Sequence, residues 1–339
     1  MKNNHRQIRR FPTDRAASRR AFTLVELLMV GAIIVILVAL TLMVSRMVTA
    51  AAKETKTQAT IQKIDTAIQQ IFESYESKFS VIQNRIVNDL ATSDLPEVIQ
   101  QKIATHFIRD LMRMEMPQNW AEVYDSKNSN VSSEPITITL AGVNYTAEKS
   151  PLLDYYWQAY NNAEKSPSRA ALLFLIIQNL NPEALEAFHG SEVADTDGDG
   201  LLEFIDAWGN PIQFLRWAPA FTGTALQPDV LALAKYVPST DAQDWWDTRG
   251  HQLRDAMVEA KRQHPDPLDE WGAALGWFLY PLVYSVGPDG KPGIEEGDDV
   301  PPILGSDGIL DPFVFPFGMP DGTQHHLDNI HNHQWYRSY

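Results

Sequence analysis

Apolar and polar positions along this 339-residue chain fall into successive patterns, and the first is an unbroken apolar run. From Leu27 to Val44 there are 18 residues without a charge, close to the roughly 20 that a helix needs to cross a bilayer. Neither Gly nor Pro occurs from Ala32 to Leu95, so nothing local stops the helix at a membrane surface. Lys53 to Thr60 is polar on all sides, as expected of a neck. Beyond it apolar residues recur at Ile61, Ile64, Ile68, Ile71, Tyr75, Phe79, Ile82 and Ile86. These steps of three and four mark one helical face and predict packing against a globular head.

Shorter elements follow. The spacing predicts a helix over 95–114, a hairpin with strands 136–140 and 143–147 around Ala141-Gly142, and helices over 152–163, 168–180 and 182–188. This block reads as a helical insertion between the long stem and the rest of the chain. No internal repeat and no low-complexity segment is visible.

Charge gives the pattern a direction. The first 21 residues hold seven basic side chains (Lys2, Arg6, Arg9, Arg10, Arg15, Arg19, Arg20) and one acid, Asp14. Positive segments stay on the cytoplasmic side of a membrane, so this arm faces inward and everything after Val44 is exported. The whole chain carries a formal charge of −15, and setting aside the +6 of the basic arm leaves −21 on the remainder. So acidic an exported region repels phosphate backbones, which excludes nucleic acid as the main partner. There is no cysteine, hence no disulfide to staple the head.

One carboxylate breaks the apolar run. Glu26 lies within Arg19-Arg20-Ala21-Phe22-Thr23-Leu24-Val25-Glu26-Leu27-Leu28, and an acid in a membrane helix costs at least ~2.5 kcal/mol. An ordinary signal peptide would place its small-residue cleavage site after the apolar core, whereas Ala21 precedes it. The block resembles the processing signal of the type IV prepilins and type II secretion pseudopilins. The resemblance implies that a dedicated peptidase cuts between Ala21 and Phe22 and methylates the new amine. The Phe22 ammonium would then pair with Glu26 of its own or a neighbouring chain and offset burial of the carboxylate. Two positions depart from the family pattern: Ala21 stands where Gly is usual, and Met43 where many relatives have a kinking Pro.

A second motif is Asp195-Thr196-Asp197-Gly198-Asp199-Gly200-Leu201-Leu202-Glu203-Phe204-Ile205-Asp206. Counted as a twelve-residue calcium loop, it has acids at positions 1, 3, 5, 9 and 12 (Asp195, Asp197, Asp199, Glu203, Asp206). Gly200 sits at 6, and the Leu201 carbonyl is offered at 7. A hard divalent ion needs several converging oxygens, and acids alternating with small residues let a short loop wrap one. Asp206 replaces the bidentate Glu of an EF-hand, so the loop is more similar to those of dockerins, and the expected role is structural calcium.

Asp206-Ala207-Trp208-Gly209-Asn210-Pro211 follows directly and resembles the turn that leads into the small sheet of the major type II pseudopilin. Ile212, Phe214 and Trp217 are expected to continue as a strand. Further on, Ser285-Val286-Gly287-Pro288-Asp289-Gly290, with Asp298-Asp299 downstream, is similar to that family's calcium-binding C-terminal loop. The resemblance implies Ser285, Asp289 and one of Asp298 or Asp299 as ligands. Four histidines, His325, His326, His331 and His333, crowd the last stretch. Their spacing is compatible with zinc or copper, with a polar, flexible segment as the alternative.

No phosphate-binding Gly-rich loop, Gly-x-Ser-x-Gly elbow or His-Glu-x-x-His pair is present, so the expectation is a non-enzymatic subunit. The fold expected is α+β and pilin-like: a long N-terminal membrane-spanning helix packed on a small antiparallel sheet, with a helical insertion. The expected divisions are 1–21 (basic leader, removed), 22–45 (membrane half of the helix), 46–92 (its exported half), 93–190 (mainly helical insertion) and 191–339 (calcium loops and sheet). By resemblance its partners are the inner membrane, the prepilin peptidase and methyltransferase, an assembly platform with a secretion ATPase, and further copies of itself in a filament. Two rivals stand beside the secretion pseudopilin: a type IV pilus subunit for adhesion or motility, and a membrane-tethered hydrolase or sugar-binding module that uses a pilin-type signal.

Overall fold

The computed structural model describes residues 23–89, 95–125, 128–218, 221, 281–297, 302, 304 and 318–334. The chain divides into two compact units, Met1–Ala51 and Ala52–Tyr339. Helix α1 (Leu24–Asp89, 66 residues) runs unbroken, as the absence of Gly and Pro after Gly31 predicts.

In the first unit every described side chain from Thr23 to Ala50 is exposed, including Leu24, Leu27, Leu28 and Ile33 to Leu37. This stretch makes α1 long and apolar enough to cross a membrane.

The second unit is α+β. Ile61, Ile64, Ile68, Ile71 and Tyr75 form one wall of its core and are at most 4 % exposed. Burying each such side chain contributes about 1.5–3 kcal/mol. Against them lies α4 (Ala170–Leu180), whose residues 170 to 177 are all buried. A short helix that is apolar on every side has no face for water, so it takes the centre of the head. Helices α2 (Glu97–Glu115) and α3 (Pro151–Asn162) add Ile108, Met112 and Tyr156 to the same core. Ser150 caps α3 through Leu152 N–H, with Pro151 at the first helical position.

The strands form small antiparallel sheets. Strands β1 (Tyr124–Asp125) and β2 (Asn128–Ser132) pair, as do β3 (Thr137–Leu140) and β4 (Val143–Thr146). Residues Ala141 and Gly142, both at positive φ, turn the second hairpin where the sequence places it. Strands β5 (Val193–Ala194) and β6 (Glu203–Phe204) form a third pair. Strands β7 (Gln213–Leu215), β8 (Leu282–Ser285) and β9 (Ile330–His331) form a three-stranded sheet in that order. Phe214, Val283 and Ile330 carry this sheet into the core built on α1.

The neck expectation is corrected. Thr57 and Thr60 are buried, although Lys53 to Thr60 reads as polar all round. Thr57 Oγ1 accepts the Ala207 N–H at 3.1 Å, and Thr60 Oγ1 donates to Glu192 Oε1 at 2.6 Å. Lys63 Nζ reaches both oxygens of Glu192 at 2.9 and 2.8 Å. A buried ion pair lies deeper: Arg216 meets Glu122 through two parallel bonds of 2.8 and 2.7 Å and donates to the Met116 carbonyl.

Candidate functional site

Strands β5 and β6 pair Val193 with Phe204 and Ala194 with Glu203, and so clamp the base of the acidic loop. Inside it the carboxylates gather the loop's own amides. Asp195 accepts from Gly198 (2.6 Å), Asp199 (3.2 Å) and Gly200 (3.1 Å), Asp197 from Asp199 (3.1 Å), and Asp199 Oδ1 from Leu201 (2.7 Å). Gly200 has φ +91°, a conformation that a side chain would strain and that permits the sharp turn at position 6. Ligand atoms of Asp195, Asp197 and Asp199 all lie within 4.8 Å of one another.

Their electrostatics differ. Asp195 and Asp197 face solvent, whereas Asp199 is 1 % exposed. Burial holds the Asp199 carboxyl above its ordinary range against the Leu201 N–H, with the charges of Asp197 and Asp195 adding to the rise. Burial also raises Glu203, opposed by the Thr196 N–H and assisted by Asp197. Desolvation would raise Asp195 as well, but the amides of Gly200, Gly198 and Asp199 outweigh it and its value falls.

The other expected ligands have separate partners. Leu201 is half-buried beside the triad. Glu203 accepts from Thr196 N (2.8 Å) and Ser168 Oγ (3.2 Å). Asp206 caps the following turn, accepting from Trp208 N (2.8 Å) and Asn210 N (2.9 Å), while its second oxygen accepts Ser285 Oγ at 2.7 Å. The last residue of the first loop and the first of the later one therefore meet each other. Asp289 accepts Lys291 N at 2.9 Å and lies 2.6 Å from His325 Nδ1. Ala21, Phe22, Asp298 and Asp299 lie outside the described residues.

At the start of α1 the Thr23 amide and hydroxyl donate to Glu26 Oε2 at 2.8 and 3.0 Å, and Glu26 N–H donates to Thr23 Oγ1 at 3.2 Å. This is a reciprocal capping box, which satisfies two amides at a helix start. The Thr-x-x-Glu spacing ahead of an apolar run is a readable signal for it, and the same carboxylate that a membrane helix makes costly is the one that closes the box.

Comparison with protein-family models, curated proteins and solved structures returns no match. The site therefore rests on its own geometry.

The histidines separate into two settings. His331 and His333 pack edge-on against Phe221, with ring centroids 4.9 and 5.7 Å away. Burial lowers the His331 pKa to about 4. His325 lies beside Asp289, and His326 Nδ1 is 3.0 Å from the Thr323 carbonyl. Core packing of His331 and His333 replaces the flexible segment expected there. Asn332 between them bonds Asp65 of α1 at 2.6 Å and the Pro281 carbonyl at 2.9 Å. No sequence signal pointed to that tie.

Proposed function

We propose that this chain is a prepilin-like subunit of a type II secretion-like filament, held in the membrane by α1 until it is cut before Phe22 and assembled. The observation that carries this reading is α1 itself. Its first part is apolar and exposed, opening on the Thr23–Glu26 box, and the same helix continues unbroken to supply the core wall of the head.

The division of labour follows from that helix. An apolar surface of this length is stable in lipid or against the same surface of other copies, so release from the membrane requires assembly. Cleavage would place a new ammonium at Phe22, four residues before Glu26, and opposite charge stabilises a carboxylate away from water. Peptide cleavage, methylation and ATP hydrolysis belong to partner proteins, namely the prepilin peptidase, the assembly platform and its ATPase. This chain supplies registration and contact area.

The test is reconstitution in cells carrying a type II secretion assembly machinery. The reading predicts sheared filaments that contain this chain, lost when the peptidase is inactivated. A chain that stays wholly in the membrane fraction with the machinery active would contradict it.

A further inference from the structure

The triad in the β5–β6 loop has a second feature that points to a ligand. Asp199 is 1 % exposed, and among the described residues its Oδ2 has no hydrogen-bond partner, while Oδ1 is taken by the Leu201 amide. A buried carboxylate oxygen without a donor is costly, more so with the Asp195 and Asp197 carboxylates close by. Lys165 Nζ donates to the Asp197 backbone carbonyl at 2.7 Å and its charge favours ionised Asp195 and Asp199, but it gives Asp199 Oδ2 no hydrogen bond. A cation is the group that resolves this arrangement.

We infer that Asp195, Asp197 and Asp199 form a calcium site in the head. It does not rest on the filament reading, because every residue concerned lies in the β5–β6 loop. The three carboxylates are hard oxygen donors, which suit Ca²⁺ and Mg²⁺ better than the nitrogen- and sulfur-seeking transition metals. The loop favours calcium of the two. Its oxygens are spread along a short, turning backbone, and calcium accepts irregular shells of six to eight oxygens, whereas magnesium demands a near-ideal octahedron and keeps its waters. Carboxylate oxygens that already accept an amide retain a lone pair for the ion. Glu203 and Asp206 fall outside the group whose ligand atoms lie within 4.8 Å of one another, their carboxylates being held at Ser168 and Thr196 and at the 206–210 turn with Ser285. The site is therefore a three-carboxylate loop completed by backbone oxygen and water. Its small charge count places affinity toward the weak end for calcium proteins, about 10⁻⁴–10⁻³ M.

The experiment is calorimetric titration of the chelator-stripped full chain in detergent micelles with calcium chloride, repeated in excess magnesium. Saturable uptake that survives magnesium is expected. Asp195→Asn and Asp197→Asn, both at exposed positions, should each weaken uptake by about tenfold or more. Absence of uptake by the unaltered chain would overturn the site. So would uptake unchanged in both variants, or uptake abolished by Asp289→Ala and untouched by the loop variants.

Discussion

The Asp206 carboxylate accepts the Ser285 hydroxyl at 2.7 Å, tying the turn that follows the acidic loop to the end of β8. Both groups are buried, and Asn210 reinforces the junction by donating to the Gly287 carbonyl at 2.8 Å. Asp206→Ala would leave the amides of Trp208 and Asn210 and the Ser285 hydroxyl without their acceptor, at a cost of about 2–4 kcal/mol. Ser285→Ala removes one bond to a charged group and should cost about 1.5–3 kcal/mol. Denaturant unfolding of the two single variants and the double variant would show less than additive losses, the mark of a shared contact.

That junction also shows where the sequence stops being legible. The α1 stripe, the β3–β4 hairpin and helices α2 to α4 could be read because each is a local pattern of 3.6 or 2 residues. The Asp195, Asp197 and Asp199 triad was readable for the same reason, since its members alternate within five positions. Asp206 and Ser285 are 79 positions apart, and no local period links them. Thr57 and Thr60 read as solvent-facing because a hydroxyl looks polar until its partner is known, here Ala207 and Glu192. The packing of half-buried His331 and buried His333 depends likewise on Phe221 and on the β8–β9 pairing.

Glu192 holds α1 to the β5 side of the head through Thr60 and Lys63. Burial alone would raise its carboxyl, but the His189 N–H, Lys63 and Thr60 prevail and hold it below the ordinary range. A depressed carboxylate stabilises the fold above its unfolded value and loses that contribution as pH falls through the folded one. Glu192→Ala should lower stability at pH 7 by about 2–4 kcal/mol. Thermal melts against pH should show that gap between the two proteins narrowing in acid.

His331 gives an acid sensitivity in a different window. Its folded pKa of about 4 lies below the ordinary value of 6.5, so the unfolded chain binds the extra proton between those values. Stability conferred by the neutral ring is therefore present above pH 6.5 and lost as pH falls toward 4, by at most about 3 kcal/mol. His106, lowered chiefly by burial, acts in the same direction. His331→Phe should flatten the decline between these pH values without removing it, measured by denaturant midpoints across the range.

A charge-neutral substitution separates the helix cap that Glu26 forms with Thr23 from the ion pairing proposed for it. Glu26→Gln keeps an oxygen that can accept from the Thr23 amide and hydroxyl, so the helix start should survive and membrane insertion should equal that of the unaltered chain. The charge that the Phe22 ammonium would meet is gone, so the sheared filament fraction should be depleted. Equal filament yield from both proteins would remove ion pairing from the account.

Processing before Phe22 is read from the mass of the chain's amino terminus after expression with an active prepilin peptidase. A new terminus at N-methylated Phe22 is expected, with residues 1–21 removed and the apolar run retained. An uncut chain, or one cut beyond Val44 so that the apolar run is lost, would contradict it.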